Sequence, residues 1–174
     1  MAIGRIAGVG VGGLMLSVLL EGCSATNDTD RDAVDPSYEE LTLVSSEGYS
    51  QSIEGASCNP VLTLDTLVLK LPSRELSWDT CDRTSAGSAE HNVGTRTLSD
   101  SEMVPIRQAV DGVVKSDQKS CIFDLSTIML DVRTKSGVQR LANDYYAGCP
   151  SGALKGRTFV KGLFELEQEL RKAL

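Results

Sequence analysis

The chain has 174 residues, of which 41% are hydrophobic and 24% are charged, and its formal net charge at pH 7 is -7. This length suits one folded domain with a hydrophobic core. The sequence has no dense run of Lys or Arg, and together with the acidic balance this argues against nucleic acid as a partner. The 5 cysteines and the single histidine restrict the available chemistry most.

The first 22 residues have the parts of an export signal. Arg5 supplies one positive charge, an apolar core covers Ile6–Leu20, and small residues lie near Cys23. The apolar core is shorter than the roughly 20 residues that a transmembrane helix needs, and its glycines weaken it further as a helix. The segment is therefore predicted to insert transiently and not to remain as a transmembrane helix.

A short motif ends this segment, and its residues are Leu20-Glu21-Gly22-Cys23. The motif resembles the lipobox at which bacterial lipoproteins are cleaved and acylated, although the family prefers a small or uncharged residue where Glu21 stands. The resemblance implies lipidation of Cys23, export to the bacterial cell envelope and, from Ser24, placement in the outer membrane. Two or three acyl chains anchor stably, because each buried methylene contributes about 0.8 kcal/mol. An ordinary signal peptide with an unrelated cysteine is the open alternative.

Cleavage before Cys23 would divide the chain into three parts. Residues 1–22 are predicted as the lipoprotein signal peptide, residues 23–38 as the acylated cysteine and a polar tether, and residues 39–174 as a single disulfide-stabilised domain. The tether is assigned because its Ser, Thr, Asn and Asp residues have almost nothing to bury. It would hold the domain off the membrane surface.

The tether also contains a partial calcium-loop pattern. Positions 1, 3, 5 and 12 of such a loop are matched by Asp28, Asp30, Asp32 and Glu39. Ala33 stands where the loop needs glycine, and Pro36 occupies position 9. The favoured interpretation is a solvated acidic tether, so no metal site is predicted.

The domain is predicted to be α+β, with an antiparallel sheet of about five strands (two hairpins) and two helices packed on one side. Leu41 and Leu43 alternate with polar residues and predict a first strand. Residues 61–70 and 75–80 form the first hairpin. Residues 82–95 are rich in Ser, Gly, Ala and Thr and are predicted as a long surface loop.

A helix is predicted to follow that loop. Ser99 and Glu102 have the spacing of a capping box, and an apolar stripe at helical spacing comes next: Met103, Ile106, Val110 and Val113. Proline is tolerated in the first turn, where few backbone donors need partners, so Pro105 moves the predicted start towards Ser101.

A second hairpin and a final helix complete the prediction. Residues 128–133 alternate in polarity, a turn lies near Ser136, and residues 138–145 return. One apolar face runs through Thr158–Leu174, which is predicted as a single packing helix. Within it, Glu167 and Arg171 are one turn apart and suited to an ion pair.

The cysteine count predicts two disulfides, because assigning Cys23 to lipid leaves an even number in an exported chain. Cys121 and Cys149 lie just outside the ends of the second hairpin and are predicted to pair. Cys58 with Cys81 would brace the first hairpin, and the crossed pairings remain open. A four-cysteine metal site is disfavoured, because no CxxC spacing occurs.

No catalytic residue and no cofactor are assigned. His91 is the single histidine, so every Ser-His or Cys-His mechanism would have to use it, and it lies in the predicted surface loop. Acidic pairs such as Asp79 with Asp82, or Glu39 with Glu40, are separated by ordinary surface sequence and could serve a hydrolase only in principle.

Aromatic residues give a further hint of a binding groove. Trp78, Tyr145 and Tyr146 could line such a groove, but aromatic residues in strands more often pack in a core. The core interpretation is therefore favoured for all three.

Four stretches carry a second resemblance: Leu-Ser-Trp-Asp-Thr-Cys at 76–81, Gly-Thr-Arg-Thr-Leu-Ser at 94–99, Asp-Tyr-Tyr at 144–146 and Gly-Arg-Thr-Phe-Val at 156–160. Residues 61–174 thereby resemble uncharacterised secreted bacterial lipoproteins of similar size, which implies export without a biochemical activity. The hairpin between Cys121 and Cys149 is more loosely similar to bacterial subtilisin inhibitors, in which such a disulfide supports a protease-binding loop.

Three functions follow, in order of preference. The first is a lipid-anchored, non-enzymatic envelope lipoprotein that acts as a binding or structural module for a protein or glycan partner, and it predicts an exposed patch or groove. The second is a secreted-protease inhibitor, which predicts an exposed, disulfide-braced loop with an extended backbone. The third is an envelope hydrolase, which predicts convergent polar groups in a pocket.

Overall fold

The computed structural model describes residues 33–46, 58, 64–83, 89–122 and 125–174. The predicted signal peptide, Cys23, and the calcium-spaced Asp28, Asp30 and Asp32 lie outside these residues. Within the part of the chain that is described, neither helix is long and apolar enough to cross a membrane.

Eight strands and two helices form an α+β domain, as predicted. The strands are β1 (Glu40–Ser46), β2 (Leu64–Lys70), β3 (Glu75–Arg83), β4 (Ala89–Thr97), β5 (Val114–Lys115), β6 (Thr127–Thr134), β7 (Gly137–Asn143) and β8 (Thr158–Lys161). The helices are α1 (Asp100–Asp111) and α2 (Leu163–Lys172). Short 3-10 turns cover Asp144–Tyr146 and Gly152–Leu154.

The strands form one sheet in the order β4-β3-β2-β1-β6-β7-β8-β5. Every neighbouring pair is antiparallel except β7 and β8, which are parallel. The prediction of about five strands was therefore too low. The missed strands are β4, β5 and β8, and each depends on pairing with a partner that is not visible in its own sequence.

Strand β4 replaces the second half of the predicted surface loop at 82–95. It pairs with β3 in a continuous register that sets Trp78 opposite Gly94 and Cys81 opposite His91. The Ser, Gly and Ala content of this region predicts a loop, but strand formation depends on cross-strand packing more than on intrinsic preference. Trp78 packs against the core, which supports its predicted role.

Because Gly94 has no side chain, the indole ring of Trp78 can occupy the space next to it. A Cβ atom at position 94 would lie 2.2 Å from a ring carbon of Trp78, closer than any normal contact. We expect Gly94→Ala to displace the ring and to lower the free energy of unfolding by about 1 to 3 kcal/mol, the usual range for overpacking. The emission spectrum of Trp78, the single tryptophan, reports the displacement directly. Val93→Ala, at an exposed neighbouring position, should change neither emission nor stability.

Helix α1 begins with the predicted capping box. Ser99 is the N-cap, the backbone N–H of Glu102 donates to its hydroxyl at 3.3 Å, and the carboxylate of Glu102 accepts from the backbone N–H of Ser99 at 2.8 Å. This cap fixes the start at Asp100 and not at Ser101, so Pro105 lies in the second turn. The shift towards Ser101 was therefore wrong, because the cap and not the proline determines the first turn.

Glu102 links the stability of α1 to pH. Hydrogen bonds from the backbone and the hydroxyl of Ser99, and then from Arg96, lower the pKa of Glu102 from 4.5 to about 2. Since this pKa is lower in the folded state than in the unfolded chain, Glu102 contributes stability above about pH 4.5 that is lost as the pH falls towards 2. We expect Glu102→Gln to reduce the loss of stability between pH 6 and pH 3. Glu165→Gln, with its carboxylate in the first turn of α2, is the matched control in urea unfolding.

The predicted single helix at Thr158–Leu174 is instead a strand and a shorter helix. Strand β8 ends at Lys161, and Gly162 then adopts a left-handed backbone with φ 89° before α2 starts. A Cβ atom at Gly162 would lie 2.5 Å from the carbonyl oxygen of Gly112, so the close approach of the two chain segments also requires glycine. The prediction of one helix was wrong because four residues are too few to show strand alternation.

Both helices pack on the same face of the sheet. Buried residues of α1 and α2, such as Ile106 and Leu166, share one hydrophobic cluster with Leu43, Leu67 and Leu130. In the registers of β1 with β2 and β6, these three leucines lie directly opposite one another, and therefore on one face. A smaller cluster covers part of the opposite face and contains Met129, Ala142, Tyr146 and Leu154.

The described part of the core includes residues assigned to the tether. Ala33 and Val34 are only 5% and 7% exposed, and the backbone N–H of Ala33 donates to the carbonyl of Val113 at 3.1 Å. Tyr38 packs partly buried against the same cluster. Residues before Glu39, which the polar composition assigns to the tether, therefore pack on the domain.

Two disulfides join the pairs that the spacing predicts. Cys58 bonds to Cys81 with a Cα–Cα distance of 5.3 Å, and Cys121 bonds to Cys149 with a Cα–Cα distance of 5.6 Å. The first attaches residue 58 to the end of β3, and the second ties the segment after β5 to the chain after β7. Disulfides of this kind persist in an oxidising compartment.

Candidate functional site

A cleft of about 590 Å³ opens where the end of β1, the start of β2 and the outer side of α2 meet. We name it the Glu167 cleft. Its polar lining comes from Ser45, Ser46, Asp65, Asp82, Ser126, Glu167, Gln168 and Arg171. Polar residues that are far apart in sequence therefore converge in one site.

Arg171 connects the sheet to α2 within this cleft. Its guanidinium donates to Glu167 Oε1 through Nη2 at 2.8 Å and through Nε at 3.0 Å, and it also bonds to the carboxylate of Asp65. The hydroxyl of Ser45 donates to Glu167 Oε1 at 2.6 Å. Asp65 Oδ1 accepts from the backbone N–H of Cys81 at 2.7 Å. One cation thus holds two carboxylates in a network that spans β1, β2, β3 and α2.

The two carboxylates of this network are largely buried, so their interactions matter for the stability of the fold. The side chains of Asp65 and Glu167 are each 11% exposed, and that of Arg171 is 36% exposed. Desolvation lowers the pKa of Arg171, but hydrogen bonds and charge from Asp65 and Glu167 raise it by more, so the pKa lies above its ordinary value. The guanidinium therefore remains charged between the two carboxylates.

Ser46 lines the same cleft but differs from these residues in its hydrogen bonding. It is only 4% exposed, and its hydroxyl has no hydrogen-bond partner among the described residues. A buried hydroxyl without a partner costs about 1 to 3 kcal/mol. Ser46 is therefore a buried polar group in the lining of the cleft that no described residue satisfies.

A second cleft of about 320 Å³ lies beside the first, and we name it the Asn143 cleft. Its polar lining includes Gln118, Asn143, Asp144, Tyr145, Lys161 and Glu165. The side chain of Phe164 lines both clefts and is 52% exposed. The two clefts thus share an exposed aromatic ring on the first turn of α2.

The structure separates the acidic pairs considered in the sequence. Asp79 and Asp82 are three residues apart in β3, so they project to opposite faces of the sheet. Asp79 Oδ1 lies 3.0 Å from Nδ1 of the exposed His91, whereas Asp82 lines the Glu167 cleft and accepts from Asn92. His91 is therefore brought to a surface carboxylate and not to the cleft.

The other acidic pair forms ordinary surface contacts. Glu39 lies 3.8 Å from Nζ of Lys135, and Glu40 lies 3.3 Å from Nε of Arg133. These pairs connect the start of β1 to the β6–β7 hairpin, at the end of the strand remote from Ser45 and Ser46. Within the residues that the structure describes, no group of three or more His, Cys, Asp or Glu side chains could hold a metal ion.

The tyrosines divide between core and cleft. Tyr146 is buried, and its hydroxyl donates to the carbonyl of Leu125 at 2.7 Å, in agreement with the predicted core role. Tyr145 is partly buried and also lines the Asn143 cleft. One of the two neighbours is therefore structural, and the other reaches a candidate site.

The segment from Ser116 to Ile122 is largely exposed and lies outside helices and strands. It is fastened at its end, because Cys121 is disulfide-bonded to Cys149 and the backbone N–H of Ile122 donates to the carbonyl of Tyr145 at 2.8 Å. The backbone N–H of Gly148 also donates to the carbonyl of Ser120 at 2.6 Å. This is the described segment that most resembles a braced loop.

Sequence reasoning missed most of the Glu167 cleft. The pair Glu167 and Arg171 was found from its helical spacing, but Ser45, Ser46 and Asp65 were not singled out. One signal was present for Asp65, because it precedes Leu67 and Leu69 on the buried face of β2. A carboxylate at an inward-facing strand position needs a partner, which here is Arg171.

No protein-family model matches the chain, and a search of the curated proteins finds no match to it either. The function of the protein is therefore inferred from its residues and from their geometry.

Proposed function

We propose that this protein is a lipid-anchored, non-enzymatic lipoprotein of the bacterial cell envelope, located at the outer membrane, whose folded domain is a binding module for a protein or glycan partner. The N-terminal segment supports export, and the lipobox-like motif supports acylation at Cys23. The two disulfides fit folding in an oxidising compartment outside the cytoplasm.

The Glu167 cleft is the observation that carries the binding role. Its charged groups are fixed by mutual hydrogen bonds across three strands and a helix, so a partner would meet an ordered polar surface at little entropic cost. The same network opposes hydrolysis. Hydrogen bonds from Arg171 and Ser45 occupy carboxylate oxygens of Asp65 and Glu167, so these oxygens are not free to exchange a proton with a substrate.

Saturable binding to isolated envelopes tests this proposal. The full chain carrying Cys23→Ala, which removes the anchor, should sediment with envelopes in a saturable manner. Gln168→Trp, which places a bulky side chain at the mouth of the Glu167 cleft, should abolish that binding. Val138→Trp, at an exposed position in β7, should preserve it. Absence of saturable binding, or binding that Gln168→Trp leaves intact, would rule out the cleft as the binding surface.

Protease inhibition is the second candidate, because the Ser116–Ile122 segment has the exposure and the disulfide bracing that an inhibitory loop requires. A titration of the protein against subtilisin-like proteases decides this candidate. An inhibitor should remove enzyme activity stoichiometrically, and the inhibition should weaken in the Cys121→Ser/Cys149→Ser variant. Full protease activity at a molar excess of the protein would exclude protease inhibition as its function.

A further inference from the structure

We infer that the Glu167 cleft and the Asn143 cleft together bind an uncharged oligosaccharide, with one sugar ring stacked on Phe164. This inference deepens the proposed function and rests on it, since it chooses a glycan over a protein as the partner. Both cleft volumes, about 590 and 320 Å³, fall within the range of small-ligand sites. The side chain of Phe164 borders both of them, so a chain of linked rings can occupy both clefts across it.

Phe164 offers the apolar surface that a sugar ring needs. A pyranose has one face of C–H groups, which packs on the face of an aromatic ring, and a rim of hydroxyl groups, which need polar partners. Phe164 is exposed on α2, and Gln168 lies one turn further along on the same side of the helix. Gln168 also lines the Glu167 cleft, so its amide can both donate to and accept from ring hydroxyls.

Ser46 supplies an independent sign of a ligand. Its hydroxyl is buried in the lining of the Glu167 cleft and has no partner among the described residues. A sugar hydroxyl can either donate to it or accept from it, as the chemistry of a hydroxyl group allows. Binding would therefore give a partner to a hydroxyl that no described residue satisfies.

The charges in the clefts favour an uncharged glycan over an anionic one. In the Glu167 cleft, Asp65, Asp82 and Glu167 outnumber Arg171, and that guanidinium is already bound to two carboxylates. The Asn143 cleft has Asp144 and Glu165 against Lys161. An anionic glycan would meet a surplus of negative charge in both clefts, and it would have to compete for Arg171.

The lining also favours a sugar over a peptide. A bound peptide needs pockets for apolar side chains or a free strand edge. Both clefts instead combine hydroxyl, amide and charged groups with apolar surface, of which the ring of Phe164 is the part they share. A sugar ring, with an apolar face and a rim of hydroxyl groups, matches this mixed lining more closely.

Calorimetric titration of the full chain, in a detergent without a sugar headgroup, tests the inference. The probes are the neutral tetrasaccharides chitotetraose, cellotetraose and maltotetraose, with tetragalacturonate as the anionic counterpart. We expect at least one neutral probe to bind at least tenfold more tightly than the anionic one. Phe164→Ala should weaken that binding at least tenfold. Val104→Ala, which truncates an equally exposed residue of α1 at 52% exposure, should leave it unchanged.

Ser46→Ala separates a ligand role from a structural role. It should weaken neutral-sugar binding several-fold while the melting temperature stays the same or rises, because no described residue hydrogen-bonds to the removed hydroxyl. The inference is overturned if no neutral probe binds, if the anionic probe binds as well, or if Phe164→Ala has no effect. If envelope binding is saturable and sensitive to protease treatment while all sugars fail, the binding module stands and its partner is a protein.

Discussion

Replacing Arg171 with Ala should destabilise the fold by about 3 kcal/mol, the lower end of the range for removing one partner of a buried ion pair. The lower end applies because the Arg171 side chain is itself 36% exposed. Asp65 and Glu167 would remain among buried neighbours without a counter-charge, and α2 would lose its polar connection to β2. Urea unfolding at pH 7 measures this loss. Lys172→Ala removes the adjacent exposed ion pair to Glu169 and should cost less than about 1 kcal/mol.

Arg171→Met separates charge from packing. It keeps a long apolar side chain but removes the guanidinium, so Asp65 and Glu167 lose their counter-charge as they do in Arg171→Ala. Both variants should therefore be destabilised to a similar extent in urea unfolding at pH 7. If Arg171→Met kept the wild-type stability, lost packing and not lost charge would cause the effect of Arg171→Ala.

Removing the Cys121–Cys149 disulfide by a double change to Ser should lower the free energy of unfolding by about 3 to 4 kcal/mol. The chain-entropy model gives this value for a loop closed between residues 28 apart in sequence. The cost arises because the unfolded chain regains freedom that the bond removes. Chemical denaturation of the oxidised protein and the variant, under identical conditions without reductant, supplies the comparison.

The Cys58–Cys81 disulfide provides the matched test, because its sequence separation of 23 residues gives a similar value, again about 3 to 4 kcal/mol. The combined loss from removing both bonds should approach the total free energy of unfolding, which for a domain of this size is about 5 to 15 kcal/mol. A Cys23→Ala change should leave unfolding unaltered. If removal of either disulfide alone left the stability unchanged, the bond would not act by restricting the unfolded chain.

Local signals in the sequence predicted the parts of the fold that depend on near neighbours. The capping box at Ser99 and Glu102 specifies the start of α1, and the position of Cys121 and Cys149 around one hairpin specifies their pairing. Strand β4 could not be found in this way, because the sequence just before it is rich in Ser and Gly, which is typical of loops, and Gly94 is required only by the ring of Trp78 opposite it.

The candidate site was predicted least well, because it is assembled from distant segments. Ser45, Asp65 and Arg171 come from β1, β2 and α2, and they meet only through the sheet register and the packing of the helix. Spacing along the chain identifies Glu167 with Arg171 alone. The hydroxyl of Ser46, which no described residue satisfies, has no sequence signature, since burial and hydrogen bonding are properties of the folded chain.

The location of this protein depends on Cys23, and the mass of its N-terminal peptide tests that most directly. We predict that the mature protein from bacterial membranes begins at Cys23 and carries a diacylglycerol thioether with or without an N-acyl chain, despite the unfavourable Glu21. A Cys23→Ala chain should be unprocessed, or its attachment to membranes should become reversible and should be lost on washing without detergent. An unmodified Cys23, or a Cys23→Ala chain that is cleaved and distributed like the wild type, would contradict the lipid anchor and with it the proposed role at the envelope surface.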